Sequence, residues 1–99
     1  MLNKDCIMER IKNRIAVIGI VGLGYVGLPL AVESAKSGYR VIGFDVQEAK
    51  VNKLNSGINY IGDIVDSELK ELVMTGKLRG TTDFELIKEV DIVLNKEYS

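Results

Sequence analysis

Residues 15–32 read IAVIGIVGLGYVGLPLAV, 18 consecutive positions without a charged side chain. The first part, Ile15 to Val21, is a continuous apolar, largely β-branched run. Such a run suits a strand covered on both faces, as in a parallel sheet. Gly22-Leu23-Gly24-Tyr25-Val26-Gly27 follows directly. From about Val26 to Ser37 the pattern turns helical, with Leu30, Ala31, Ser34 and Ala35 as packing positions and Gly38 as the stop. Strand, glycine turn and helix in this order form the first half of a βαβ unit.

Working outward, Arg40 to Asp45 reads as the second strand. Gln47 to Asn55 reads as a helix with Val51 and Leu54 facing inward, stopped by Ser56-Gly57. Asn59 to Val65 is irregular and reads as a loop. Asp66 or Ser67 is expected to cap a third helix with Leu69, Leu72 and Val73 as its apolar stripe and Gly76 at its end. Leu78 to Thr82 suits a short strand, Asp83 a cap for a brief helix over Phe84 to Glu89, and Asp91 to Leu94 the start of another strand. Strands alternating with helices predict an α/β, Rossmann-like parallel sheet with flanking helices, which the family resemblance given below marks as incomplete, its N-terminal portion only. The expected division is a helical extension over residues 1–14, a domain over 15–94 that the glycine loop and the resemblance below make a partial NAD-binding one, and a tail over 95–99.

The glycine loop carries the chemistry. GxGxxG alone is weak evidence, but here it follows a buried strand, opens a helix and precedes an acidic residue at the end of the next strand. That residue, Asp45, lies 18 positions after Gly27. Gly22 permits the tight turn, Gly24 lets backbone approach a pyrophosphate, and Gly27 lets the helix pack against the sheet. The N–H groups of Tyr25 and Val26 open the helix, where the positive end of its dipole favours an anion. Asp45 can accept hydrogen bonds from both ribose hydroxyls and would repel a 2′-phosphate, which argues for NAD over NADP. Lys50 lies within reach of the adenosine ribose, or is an ordinary solvated lysine. Tyr25 either covers the cofactor or packs at the helix start. The bland alternative for the whole motif is a strand-to-helix turn that binds nothing; such a turn does not require an acid at the end of the next strand.

Composition narrows the remaining classes. The chain has 99 residues, 46% hydrophobic and 27% charged, which allows one small domain. A net charge of −1 gives no bulk attraction to nucleic acid or to an anionic membrane. With no histidine and a single cysteine, Cys6, neither a zinc site nor an intramolecular disulfide is expected. A reducing, cytoplasmic setting is the expectation that follows. The apolar stretch after Arg10, Lys12 and Arg14 imitates a signal peptide or short membrane span, but four glycines and Pro29 interrupt it after Ile18, and Glu33 and Lys36 continue the helical pattern. The lysines and glutamates at Glu68, Lys70, Glu71 and Lys77 read as a solvated face. An exposed edge on the last strand would allow pairing with another chain, including a second copy.

The stretch GLGYVGLPLA (residues 22–31), followed by Val41-Ile42-Gly43-Phe44-Asp45, resembles the N-terminal NAD-binding domain of the UDP-glucose/GDP-mannose dehydrogenase family. Lys50-Val51, Leu54-Asn55-Ser56-Gly57, Gly76-Lys77-Leu78-Arg79 and Thr81-Thr82-Asp83-Phe84 resemble its later landmarks. Tyr60-Ile61-Gly62-Asp63-Ile64 is most similar to the branch that oxidises UDP-N-acetylhexosamines. The resemblance implies NAD-dependent oxidation of a sugar C6 alcohol to a carboxylate, by two hydride transfers with a cysteine thiohemiacetal between them. It also implies cofactor contacts from Gly22, Leu23, Gly24, Tyr25, Val26, Gly27, Asp45 and Lys50.

After Asp91-Ile92-Val93-Leu94 the pattern departs: Asn95-Lys96-Glu97-Tyr98-Ser99 stands where the family has a Val-Pro-Thr-Pro-like turn. The family's catalytic cysteine, lysine and asparagine have no counterpart in these residues, and Cys6, ahead of the first strand, is not that cysteine. The expectation is therefore an NAD-binding fragment with no catalytic residue and no metal, inactive alone, that would meet a UDP-sugar only if the missing half were supplied. A stand-alone dinucleotide-binding or regulatory module is the alternative.

Overall fold

A computed structural model describes residues 16–62 and 64–95. The expected N-terminal helix with Cys6 and the tail over 96–99 lie outside the described residues. The described elements run β1 (Val17–Val21), α1 (Gly27–Lys36), β2 (Arg40–Phe44), α2 (Glu48–Asn55), α3 (Asp66–Met74), β3 (Leu78–Thr81), a 3₁₀ helix (Phe84–Glu89) and β4 (Ile92–Asn95). The four strands form one parallel sheet in the order β3-β2-β1-β4. The apolar stretch that imitates a membrane span is thus divided among β1, the glycine loop and α1. No described helix is long and apolar enough to cross a membrane.

Side chains alternate across the sheet and sort its two faces. Ile18 and Ile20 of β1, Val41 of β2 and Leu78 of β3 join the main core. Leu28, Ala31, Val32 and Ala35 of α1, Val51 and Leu54 of α2, and Leu69 and Leu72 of α3 fill the same core. Burying each leucine or valine contributes about 1.5–3 kcal/mol. Small residues at 31 and 35 let α1 lie close to the strands. Lys36 of α1 also bridges to Glu68 of α3 at 2.9 Å. That contact corrects the reading of Glu68 as merely solvated. On the opposite face, Phe44 stacks on Phe84 of the 3₁₀ helix, with ring centres 5.7 Å apart.

β1 ends at Val21 as expected, β2 and β3 end one residue short of the expected Asp45 and Thr82, β4 runs Ile92–Asn95, and each α-helix stops at a glycine with positive φ: Gly38, Gly57 and Gly76. One helix start differs. Neither Asp66 nor Ser67 caps α3; Val65 occupies the cap position and no side chain bonds the free N–H groups there. Asp66 is instead the first helical residue, where its charge suits the dipole, and it accepts a hydrogen bond from Asn59 Nδ2 at 2.8 Å. Asp83 does cap the following element, accepting from Glu85 N–H at 3.0 Å, but that element is 3₁₀ rather than α.

Two side chains tie the sheet margins. Asn55 donates to Gly80 O at 2.9 Å and accepts from Gly80 N at 2.8 Å, so an amide at the end of α2 pairs the outer backbone of edge strand β3. Asp91 clasps Val17: its carboxylate accepts from Val17 N and its own N–H donates to Val17 O, both at 2.8 Å. The second clasp sets the start of β4 beside the start of β1.

Candidate dinucleotide site

The loop between β1 and α1 lies at the carboxyl ends of the parallel strands, the side where open α/β sheets bind ligands. Its three glycines have separate causes. Gly22 has φ +94°, a left-handed conformation that turns the chain out of β1. A Cβ on Gly27 would lie 1.7 Å from Gly22 O, so only glycine lets α1 start this close to the turn. A Cβ on Gly24 would meet only Lys50 Nζ, 4.0 Å away. Position 24 therefore borders open space, not packed protein.

Leu23, between them, is fully buried. Its methyl groups occupy room left by Gly43 of β2: a Cβ at 43 would come within 2.5 Å of Leu23 Cδ2. Leu28 N–H bonds back to Gly24 O and Leu30 N–H to Val26 O, closing the first turn of α1. Pro29 has no N–H to lose there. The N–H groups of Gly24, Tyr25 and Val26 find no acceptor among the described residues. They precede an α-helix whose dipole adds positive potential. Tyr25 is 82% exposed and so does not pack at the helix start.

Asp45 stands just past β2, half-buried against this loop. Its Oδ2 accepts from Leu23 N–H at 2.9 Å and its Oδ1 from Gln47 N–H at 2.8 Å. Each carboxylate oxygen keeps a further lone pair. The side chain thus fixes the loop and retains acceptor capacity for two hydroxyls. Lys50, in the first turn of α2, is half-buried with its ammonium toward Gly24 and forms no ion pair with a described residue. The structure brings Asp45 and Lys50 to the loop of residues 22–27, Asp45 at Leu23 N–H and Lys50 beside Gly24, while Leu23 itself is buried beneath. Among the described residues no group of three or more metal-ligating side chains forms.

One neighbour escapes local sequence reading. Tyr60, in the loop between α2 and α3, donates its hydroxyl to Leu23 O at 2.8 Å. Burial, and then the nearby Asp45 charge, push its phenol up to about 12.

A neutral, N–H-lined turn facing a carboxylate at the next strand end is the geometry of a dinucleotide cradle. The model of the UDP-glucose/GDP-mannose dehydrogenase family, NAD binding domain, matches residues 16–95. The chain belongs to this family. Among curated relatives, the UDP-N-acetyl-D-mannosamine dehydrogenase of Pyrococcus horikoshii is 40% identical over 78 residues, covering 78% of this chain and 19% of that protein. The UDP-N-acetyl-D-glucosamine 6-dehydrogenase of Salmonella typhi is 42% identical over 77 residues, covering 78% of this chain and 17% of that one. Among solved structures, the GDP-mannose dehydrogenase of Pseudomonas aeruginosa superposes with a TM-score of 0.72 at 36% identity, over 80% of this chain and 19% of its own. The chain therefore spans about a fifth of the length of the family members it matches. A GDP-mannose 6-dehydrogenase from Pseudomonas syringae shares the same 42% identity as the Salmonella enzyme. The likeness thus extends equally to relatives named for UDP- and GDP-linked sugars.

Proposed function

We propose that residues 22–27, Asp45 and Lys50 bind the ADP-ribose part of NAD, and that the chain supplies the cofactor-binding part of a nucleotide-sugar 6-dehydrogenase. The observation that carries the reading is the set of unpartnered N–H groups at Gly24, Tyr25 and Val26 opposite the Asp45 carboxylate. The N–H groups take the diphosphate, and the open space at Gly24 admits it. Asp45 takes the ribose hydroxyls and disfavours a 2′-phosphate by charge repulsion. Lys50, beside Gly24, adds a cation to an otherwise neutral cradle. When bound, NAD supplies a hydride acceptor for oxidation of a sugar C6 alcohol. On this reading the chain contributes cofactor binding and not the oxidation itself, because the described residues offer no nucleophile, general base or sugar pocket. The chain alone is inactive in this reading.

Isothermal titration with NAD and NADP tests it, using wild type and Asp45→Ala. Wild type should bind NAD in preference to NADP. Asp45→Ala should weaken NAD and narrow the gap between the two cofactors. No heat and no thermal shift at millimolar NAD would overturn the binding site. Oxidation of a UDP-sugar by the pure chain would overturn the claim of inactivity.

A further inference from the structure

Tyr60 touches the loop but has no role in the cofactor contacts above. We propose that Tyr60 is a positioning residue for the diphosphate cradle: its hydroxyl locks the Leu23–Gly24 peptide so that the Gly24 N–H faces the ligand. The inference deepens the NAD reading and takes the identity of the ligand from it.

Residue 23 is held at three points. Its N–H donates to Asp45 Oδ2 at 2.9 Å, its carbonyl accepts from Tyr60 OH at 2.8 Å, and its side chain is fully buried. In a trans peptide the C=O and the following N–H point in opposite directions. Fixing Leu23 O toward Tyr60 therefore turns the Gly24 N–H away from Tyr60. That N–H has no acceptor among the described residues, and a Cβ on Gly24 would point into open space. Loss of the phenol frees this peptide to flip. A flipped peptide shows the ligand a carbonyl oxygen in place of an N–H, which repels a diphosphate.

The chemistry of the side chain fits the task. A phenylalanine fills the same space but offers no donor, so the hydroxyl is the part that acts. With its ionisation pushed up to about 12, the phenol stays a neutral donor throughout the physiological range. The lock spans 37 positions of chain, joining the loop after α2 to the first turn of the sheet.

The test compares wild type with Tyr60→Phe by backbone amide NMR and by titration with NAD and with adenosine, which reaches Asp45 but carries no diphosphate. Loss of one neutral hydrogen bond should weaken NAD about three- to tenfold and shift the Gly24 amide resonance, which reports the freed peptide. Adenosine binding and the exchange of β1 amides should stay unchanged. A Tyr60 that only supports the fold would weaken both ligands alike, and that result overturns the proposal. So does full NAD affinity in the variant. If wild type itself binds no NAD, the cofactor reading fails, and the Gly24 amide then decides the lock alone: an unchanged Gly24 resonance in Tyr60→Phe overturns it.

Discussion

Replacing Gly24 with alanine should leave the fold nearly intact and cripple cofactor binding, whereas Gly27→Ala should damage the fold itself. At Gly27 the new Cβ would lie 1.7 Å from Gly22 O and 2.7 Å from Gly22 C. Reaching van der Waals contact means separating α1 from the turn by roughly 1.5–2 Å. α1 cannot move freely, since Leu28, Ala31, Val32 and Ala35 are all buried in the core. The cost falls at the upper end of overpacking, about 3 kcal/mol. At roughly 4–8 °C per kcal/mol for a domain of this size, melting should fall by about 12–24 °C. At Gly24 the new Cβ would have only Lys50 Nζ near it, at 4.0 Å, and φ is not positive, so the stability change should lie within about 1 kcal/mol of zero. The methyl group would instead occupy the space proposed for the diphosphate. Losing one charge-assisted contact there corresponds to about ten- to 150-fold in affinity. Thermal unfolding followed by circular dichroism, paired with NAD titration, reads both effects. A large melting loss in Gly24→Ala, wild-type melting in Gly27→Ala, or undiminished NAD binding in Gly24→Ala would each refute the division of roles.

Asp91→Ala leaves the Val17 N–H without the carboxylate it donates to at 2.8 Å, and should cost about 1–3 kcal/mol by urea unfolding. A wild-type urea midpoint would show that the clasp is dispensable. Tyr60 provides a pH test: burial, then the Asp45 charge, raise its phenol from an ordinary value near 10 to about 12. A group raised on folding stabilises fully below its unfolded value and loses that contribution as pH climbs between the two. Wild type should therefore lose stability between pH 10 and 12 more steeply than Tyr60→Phe, and equal slopes would refute the coupling. Lys36 is raised by its hydrogen bond and charge contact with Glu68, with Glu33 adding to this. Glu68→Gln should lower melting slightly at low salt and leave it unchanged at high salt, because this exposed pair is screened.

The parts legible in the sequence are those whose cause is local. β1 and β2 announce themselves as apolar runs because a parallel strand is covered on both faces. Helix ends are legible because Gly38, Gly57 and Gly76 adopt a conformation that other residues resist. Asp45 is legible through its spacing from the loop. What stays hidden depends on the fold being complete. Nothing around Tyr60 predicts a partner 37 positions earlier. Asn55 looks like any helix-end polar residue until β3 is set beside it, and Asp91 like any strand-start acid until β4 meets β1. The cap of α3 was misleading for a related reason. Asp66 and Ser67 are both good capping types, but Asn59 holds Asp66 by its side chain and the cap falls at Val65, one position before Asp66 and two before Ser67.

The spacing of glycines in the loop is an incomplete account of why this loop can face an anion. Its chemistry depends on which way the N–H groups point, and that is set around Leu23, which is fully buried and does not border the open space. A leucine fits at 23 because Gly43 leaves room beneath it: a Cβ there would meet Leu23 Cδ2 at 2.5 Å. Gly80, paired with Gly43 in the next strand, makes room instead for Leu54, whose Cδ2 would lie 2.9 Å from a Cβ there. Gly43 sits two positions before Asp45, so the same strand that delivers the carboxylate to Leu23 N–H also makes space for the Leu23 side chain. Tyr60 then secures the carbonyl. The cradle is thus the outer surface of a packing arrangement that reaches through Leu23 into β2. Its affinity for a diphosphate should respond to substitutions beneath the loop as well as within it.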